Sequence, residues 1–157
     1  MTNYFQINTI ENSIKNNEIE TAVLFTSEGN YIAAAKGTNN QVNLADFEGF
    51  TKNAILTHNH PQGTSLSLED IKYFMYNGLK ELRAVTKEYT FSLTGKTVNA
   101  VEEFKALEAK IPTIVKQLKK EIADSIINDT DCFEDINHET IKRLFEGTQY
   151  TFTQVAN

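Results

Sequence analysis

The chain has 157 residues, of which 40% are hydrophobic and 23% are charged, and its formal net charge at pH 7 is -6. This size suits a single domain, residues 1–157, whose core needs neither disulfides nor structural metal. The acidic balance argues against a broad nucleic-acid surface, and no apolar run is long enough to span a bilayer. We therefore expect neither a nucleic acid nor a membrane as partner.

The single cysteine, Cys132, excludes an internal disulfide and fits a reducing compartment. The N-terminal residues show neither the basic leader nor the apolar core of a secretion signal. We expect a cytoplasmic protein, or else a piece of a larger, secreted, toxin-like protein that carries its own signal. Cys132 would act as a nucleophile only with a base nearby.

The first third of the chain predicts a helix, a hairpin and a buried strand. Apolar residues at helical spacing indicate a short helix over 9–17. The segment TAVLFTSEGNYIAAA, residues 21–35, predicts a β-hairpin because its apolar runs flank a Gly-Asn turn. Residues 42–50 fit either a short strand or a helical turn, and AILT, residues 54–57, is a strand candidate that leads into His58.

A capped helix and two strands should follow. Ser67 is a candidate N-cap, with an acid three residues later at the positive end of the helix. Apolar residues continue at helical spacing to Leu82, and Asn77-Gly78 weakens or ends the helix. Residues 81–86 and 89–93 predict an antiparallel pair of strands.

The last third should be mainly helical. One apolar face runs through 98–127, where Pro112 should kink or divide the helix: Val101, Phe104, Leu107, Ile111, Val115, Leu118, Ile122 and Ile126. An acidic loop over 129–135, a short helix closed by Gly147 and a strand over 150–156 complete the prediction. The fold is then α+β: a mixed, mainly antiparallel sheet flanked by helices. Residues 98–147 form a helical C-terminal portion packed on it, as core rather than as a partner-binding surface.

The stretch THNHPQG carries the strongest chemical signal. In an extended segment His58 and His60 point to the same side and can reach one ion. Pro61 and Gly63 allow a turn that brings the next helix back, so that Asp70 in its first turn would add an oxygen ligand. Two imidazoles and one carboxylate are typical of catalytic zinc, which keeps a position open for water.

Such a site also needs a proton-transferring carboxylate and a donor for the developing oxyanion. The sequence offers four glutamates for the first role: Glu18, Glu20, Glu28 and Glu48. Ser67 could supply the oxyanion donor, or it could do nothing beyond capping its helix.

At these residues the sequence resembles the JAMM (MPN-plus, JAB-domain) metalloproteases, whose signature is an upstream Glu, then H-x-H-P, then S-x-x-D. HNHPQG is especially similar to RadC-type and phage- or toxin-associated members. The resemblance implies a cytidine-deaminase-like core and a hydrolase of peptide or isopeptide bonds, with protein substrates that include ubiquitin-like ones. It assigns Zn²⁺ to His58, His60 and Asp70, and the oxyanion to Ser67.

The proton-transferring glutamate of the family precedes the first core strand, which Glu20 matches best, then Glu18, whereas Glu48 would need a different threading. The resemblance covers residues 18–93, about half of the chain. Nine residues separate His60 from Asp70, one fewer than is commonest, so either Asp70 or Glu69 would face the metal. The glycine-rich strand of the family peptidases is absent around Glu20, which leaves the substrate groove undefined.

Two other functions fit the same residues. The motif could stabilise a loop in a catalytically inactive JAB-like binding module, or His58 or His60 could serve as acid and base in a metal-independent nuclease or toxin. Metal content separates these alternatives from the hydrolase. His138, by contrast, is expected to be an exposed histidine at a helix start rather than a ligand.

Overall fold

A computed structural model describes residues 1–124 and 132–157, with the side chains of all these residues except 132–135. Six strands form one sheet in the order β2-β1-β3-β4-β5-β6. Every neighbouring pair is antiparallel except β3 and β4. The strands are β1 (Thr21–Phe25), β2 (Tyr31–Lys36), β3 (Ile55–Asn59), β4 (Glu81–Val85), β5 (Tyr89–Thr94) and β6 (Thr151–Ala156). The predicted mixed, mainly antiparallel sheet is confirmed.

Four helices flank this sheet: α1 (Phe5–Ile14), α2 (Leu68–Tyr76), α3 (Ala100–Ala123) and α4 (Cys132–Phe145). A short 3-10 turn, Ala45–Phe47, settles the ambiguous segment 42–50 as helical. Helix α2 is the crossover between the parallel strands β3 and β4, as a parallel connection requires. The carboxyl end of β3 and the start of α2 therefore lie close together.

Both faces of the sheet centre are covered. On one side α2, α3 and α4 enclose the larger core with Ala22 and Leu24, and on the other α1 covers a smaller cluster with Val23 and Phe25. All five residues of β1 and all five of β3 are consequently buried. Double burial explains why these two strands show continuous apolar runs rather than alternation.

Of the two outcomes predicted for Pro112, a division of the helix does not occur, because α3 continues through it. Phe104 and Leu107 are buried before the proline and Leu118 is buried after it, so packing holds both halves in one helix. Val101, which the apolar face included, is exposed, and Ile126 lies outside the described residues.

Two other boundaries also differ. Helix α1 begins at Phe5, earlier than the predicted 9–17, and ends at Ile14. Helix α4 begins at Cys132, so part of the predicted acidic loop over 129–135 is helical, and the rest of that loop lies outside the described residues. Asp and Glu are frequent in first turns, which is why this acidic stretch suited a helix start as well as a loop.

The helical C-terminal portion packs on the rest of the fold in the described chain. Helix α3 packs on α2 and α4, and α4 also packs on β6. Phe104, Leu107 and Leu144 join the larger core. Within the described ranges, no helix combines the length and the apolar character that crossing a bilayer would require.

Candidate metal centre

The two histidines of the motif lie at the carboxyl end of β3. His58 is paired with Ala22 of β1 on one side and with Ala84 of β4 on the other. The His60 N–H continues the sheet ladder by donating to the Val85 carbonyl at 3.0 Å. Both rings therefore point to the same face of the sheet, as strand alternation predicts.

Asp70 in the first turn of α2 completes a compact group. Its Oδ1 lies 3.2 Å from Nε2 of His58, and its Oδ2 lies 3.4 Å from Nε2 of His60. The two Nε2 atoms are 2.8 Å apart. These three side chains are a group that could hold a metal ion, and we call them the metal triad. Asp70, not Glu69, is thus the acid that faces the histidines.

The loop after β3 fixes the orientation of His60. The Gly63 N–H donates to the His60 carbonyl at 3.0 Å, and Gly63 has a φ of 77°, a conformation that favours glycine. The loop places the Thr64 carbonyl 2.8 Å from Nδ1 of His60. A proton on Nδ1 then leaves a lone pair on Nε2, which is the tautomer a metal ligand needs.

His58 is held differently. Its Nδ1 is buried without a hydrogen-bond partner in the described part of the chain, so only Nε2 makes polar contacts. The ring is only 4% exposed and packs edge-on against His60, with 4.5 Å between the ring centres. Packing rather than a second hydrogen bond therefore orients this imidazole.

Ser67 and Asp70 form a complete capping box. The Asp70 N–H donates to Oγ of Ser67 at 3.1 Å, and the Ser67 N–H donates to Oδ2 of Asp70 at 2.9 Å. The predicted N-cap is confirmed. The cap also restricts the carboxylate of Asp70, because the same side chain satisfies the helix start and faces the histidines.

Glu20 stands just before β1 and lines the same cleft as the triad. It precedes Ala22, the partner of His58, by two residues, so strand alternation puts Glu20 on the histidine face. Burial raises the pKa of Glu20, and the two histidines only partly oppose that rise. A carboxyl group with a raised pKa is suited to exchange protons near neutral pH.

The charges of the triad act on one another. Burial by itself would raise the pKa of Asp70, but His58 and His60 outweigh it and hold that pKa well below its usual value. Burial lowers the pKa of His60, but Asp70 and the Thr64 carbonyl outweigh it, so that this pKa is raised. Without metal, both shifts therefore favour the charged forms of Asp70 and His60.

An Asn59 clamp, which the sequence did not reveal, positions Glu20. Asn59 points to the opposite face from the histidines and is completely buried. Its Oδ1 accepts from the Thr21 N–H at 2.6 Å, and its Nδ2 donates to the carbonyls of Asn17 and Ile19 at 3.2 and 3.0 Å. The residue between the two histidines therefore ties down the segment that carries Glu20.

The triad opens into a cleft of ≈ 1040 Å³. One wall is the loop over residues 39–45 with Glu48, and the other is α2 with Glu69, Tyr73 and Asn77. The half-buried Val42, Leu44 and Tyr73 contribute apolar surface to the lining. The group that could hold a metal is consequently reachable from a space large enough for a ligand.

The structure distinguishes among the remaining glutamates that were candidates for proton transfer. Glu48 lines the cleft, whereas Glu18 is exposed and Glu28 lies in the β1–β2 turn, and neither of these two is among the lining residues. No protein-family model, no curated protein and no solved structure matches the chain.

The interpretation of His138 as an exposed helix-start residue is wrong. Since α4 begins at Cys132, His138 lies inside the helix and is half-buried. Its Nδ1 is 3.3 Å from Oγ of Ser65, and its ring packs near Phe91 and Phe152. The side chain of Cys132 lies outside the described residues, so its reactivity stays a prediction.

Proposed function

We propose that the protein is a zinc-dependent hydrolase of peptide or isopeptide bonds, of the JAMM type. The observation that carries the proposal is the convergence of His58, His60 and Asp70 at one end of a cleft that Glu20 also lines. The order of an upstream Glu, H-x-H-P and S-x-x-D supports the same assignment.

The triad could hold a tetrahedral ion after its side chains adjust. Zinc bound at roughly 2.0–2.1 Å would set its ligand atoms about 3.3 Å apart. Asp70 approaches the two Nε2 atoms with different oxygens, Oδ1 at 3.2 Å from His58 and Oδ2 at 3.4 Å from His60, so its carboxylate would turn to bring one oxygen near both. The Nε2 atoms, at 2.8 Å, would separate by about 0.5 Å to meet this geometry. Three protein ligands are the number that catalytic zinc sites use.

A zinc ion bound there would supply a Lewis acid and lower the pKa of a water molecule. Glu20 would accept the proton of the attacking water and pass it to the leaving amine, since its pKa is raised by burial. Oγ of Ser67 accepts from the Asp70 N–H, and this bond does not use its own hydroxyl proton. That proton could be donated to the developing oxyanion.

The test uses purified protein and a mixture of linear peptides and lysine-branched isopeptides, with cleavage followed by mass spectrometry. Chelation should abolish cleavage and zinc should restore it. Glu20→Gln should retain the metal and lose about 10²- to 10⁴-fold in rate. Cleavage that is unchanged by chelation and by Glu20→Gln would refute the proposal. The matched control for Glu20→Gln is Glu108→Gln, at an exposed acid on α3.

One observation favours a second candidate, an inactive JAB-like binding module. His58, His60 and Asp70 contact one another directly through Nε2 and carboxylate atoms, so they can hold one another in place. A purely structural triad would behave in this way. Protein that takes up no zinc, yet loses stability in Asp70→Asn, would support this module over the hydrolase.

A further inference from the structure

The cleft in front of the metal triad is acidic. Four carboxylate residues line it: Glu20, Glu48, Glu69 and Asp70. Among the described residues, no lysine or arginine lines it. Residues 125–131, which the structure does not describe, contain neither residue type. The only cation of α2, Lys72, lies over the rings of Tyr76 and Phe104 and is not among the lining residues.

The acids occupy different parts of the cleft. Glu20 and Asp70 belong to the metal centre, where a divalent ion would offset two negative charges. Glu48 and Glu69 are exposed and line the cleft from different elements, the end of the 3-10 turn and the first turn of α2. Their charges would remain after metal binding, so the walls would attract cations and repel anions.

Carboxamides are a second kind of polar group in the cleft. Asn39 and Gln41 line it from the loop wall, and Gln62 lines it from the loop after β3. All three are exposed. A carboxamide both donates and accepts hydrogen bonds, which matches the alternating N–H and C=O groups of an extended peptide. Apolar surface from the half-buried Val42, Leu44 and Tyr73 can contact side chains of the same segment.

We infer that the cleft binds an extended polypeptide segment that carries lysine or arginine beside the bond to be cleaved. This inference rests on the proposed function, because the bond to be cleaved would lie at the metal triad. Glu48 and Glu69 would give the cleft its preference for basic side chains. The same charges exclude acidic peptides and the phosphates of nucleic acids.

Binding of two labelled peptides to the zinc-loaded Glu20→Gln protein tests the inference. The peptides are identical except for two positions, which are lysine in one and glutamate in the other, and fluorescence anisotropy gives each Kd. The lysine peptide should bind on the order of tenfold more tightly at low salt. The difference should shrink as ionic strength rises, because exposed charges are screened.

Variants test whether Glu48 and Glu69 cause the preference for the lysine peptide. Glu48→Gln and Glu69→Gln, each added to Glu20→Gln, should lower the preference by about two- to fivefold. Glu108→Gln on α3 is the matched control and should leave the preference unchanged, because it lies outside the cleft. Circular dichroism of each variant would establish that the fold is retained.

Equal Kd values for the two peptides, or a preference that survives the loss of both Glu48 and Glu69, would overturn the inference. The proposed hydrolase would fail differently, through absence of zinc or of zinc-dependent cleavage. A protein that cleaves peptides without regard to charge refutes only the cleft specificity. A protein that takes up no zinc but still prefers the lysine peptide refutes only the hydrolase.

Discussion

Replacing Asp70 with asparagine should remove the response to metal while leaving the start of α2 in place. The asparagine side chain keeps an oxygen that can accept the Ser67 N–H, so the cap can survive. A neutral amide oxygen is not among the usual zinc ligands, which are thiolate, imidazole and carboxylate. The substitution therefore separates the role of Asp70 in capping α2 from its role as a metal ligand.

The expected magnitudes follow from the geometry. The His58 and His60 contacts to Asp70 are long, at 3.2 and 3.4 Å, so their loss in metal-free protein at pH 8 should cost at most about 1.5 kcal/mol. Zinc at 100 times its Kd should stabilise the wild type by about 2.7 kcal/mol. For a chain of this size the gain in Tm is roughly 5–11 °C. Asp70→Asn should gain less than about 2 °C under the same conditions.

Thermal unfolding of chelator-treated protein, with and without added zinc, measures both quantities. Asp46→Asn is the matched control, because Asp46 is an exposed acid in the 3-10 turn and should leave the zinc response intact. Equal zinc responses in wild type and Asp70→Asn would refute the assignment of Asp70 as a ligand. A wild type that does not respond to zinc would refute the metal triad itself.

Three further predictions concern the cap, the charges and the core. Ser67→Ala should cost about 1 kcal/mol through the lost cap, and Ser67→Thr should recover most of it in a denaturant melt. In metal-free protein, the raised pKa of His60 gives stability that is complete below its unfolded value of about 6.5 and is lost as pH rises through the folded value. The lowered pKa of Asp70 gives stability that is present above its unfolded pKa of about 3.9 and is lost as pH falls through its folded pKa. The difference in Tm between wild type and Asp70→Asn should therefore be largest between about pH 4 and 6.5. A difference that grows steadily toward pH 8 would contradict this prediction. Leu107→Ala should cost about 2–5 kcal/mol if α3 is part of the core, whereas a cost below about 1 kcal/mol would mean that it is not.

Local signals were enough to predict much of the candidate site. The apolar run before His58 indicated a strand end, and alternation then placed both histidines on one face. The S-x-x-D spacing predicted the cap that the structure shows between Ser67 and Asp70. These predictions succeeded because each depends on residues within a few positions of one another.

Long-range contacts could not be predicted in the same way. The Asn59 clamp joins groups about forty residues apart, and nothing in the motif marks its amide as structural. Arg83, similarly, bridges Glu11 of α1 and Glu81 of β4 in a largely buried ion network. Neither contact follows from periodicity, because both depend on how distant segments pack.

Helix boundaries in the C-terminal portion failed for a related reason. Pro112 removes one helical donor, which argues locally for a break, but buried residues on both sides keep α3 continuous. Packing outweighed the local preference of a single residue.

Metal analysis of the purified protein, together with X-ray absorption at the zinc edge, tests the central claim most directly. The account predicts about one zinc per chain, bound by two nitrogen ligands and at least one oxygen ligand from the protein, and loss of that zinc in His58→Ala and His60→Ala. Protein that holds no zinc after exposure to it, or that binds zinc equally well without either histidine, would contradict it.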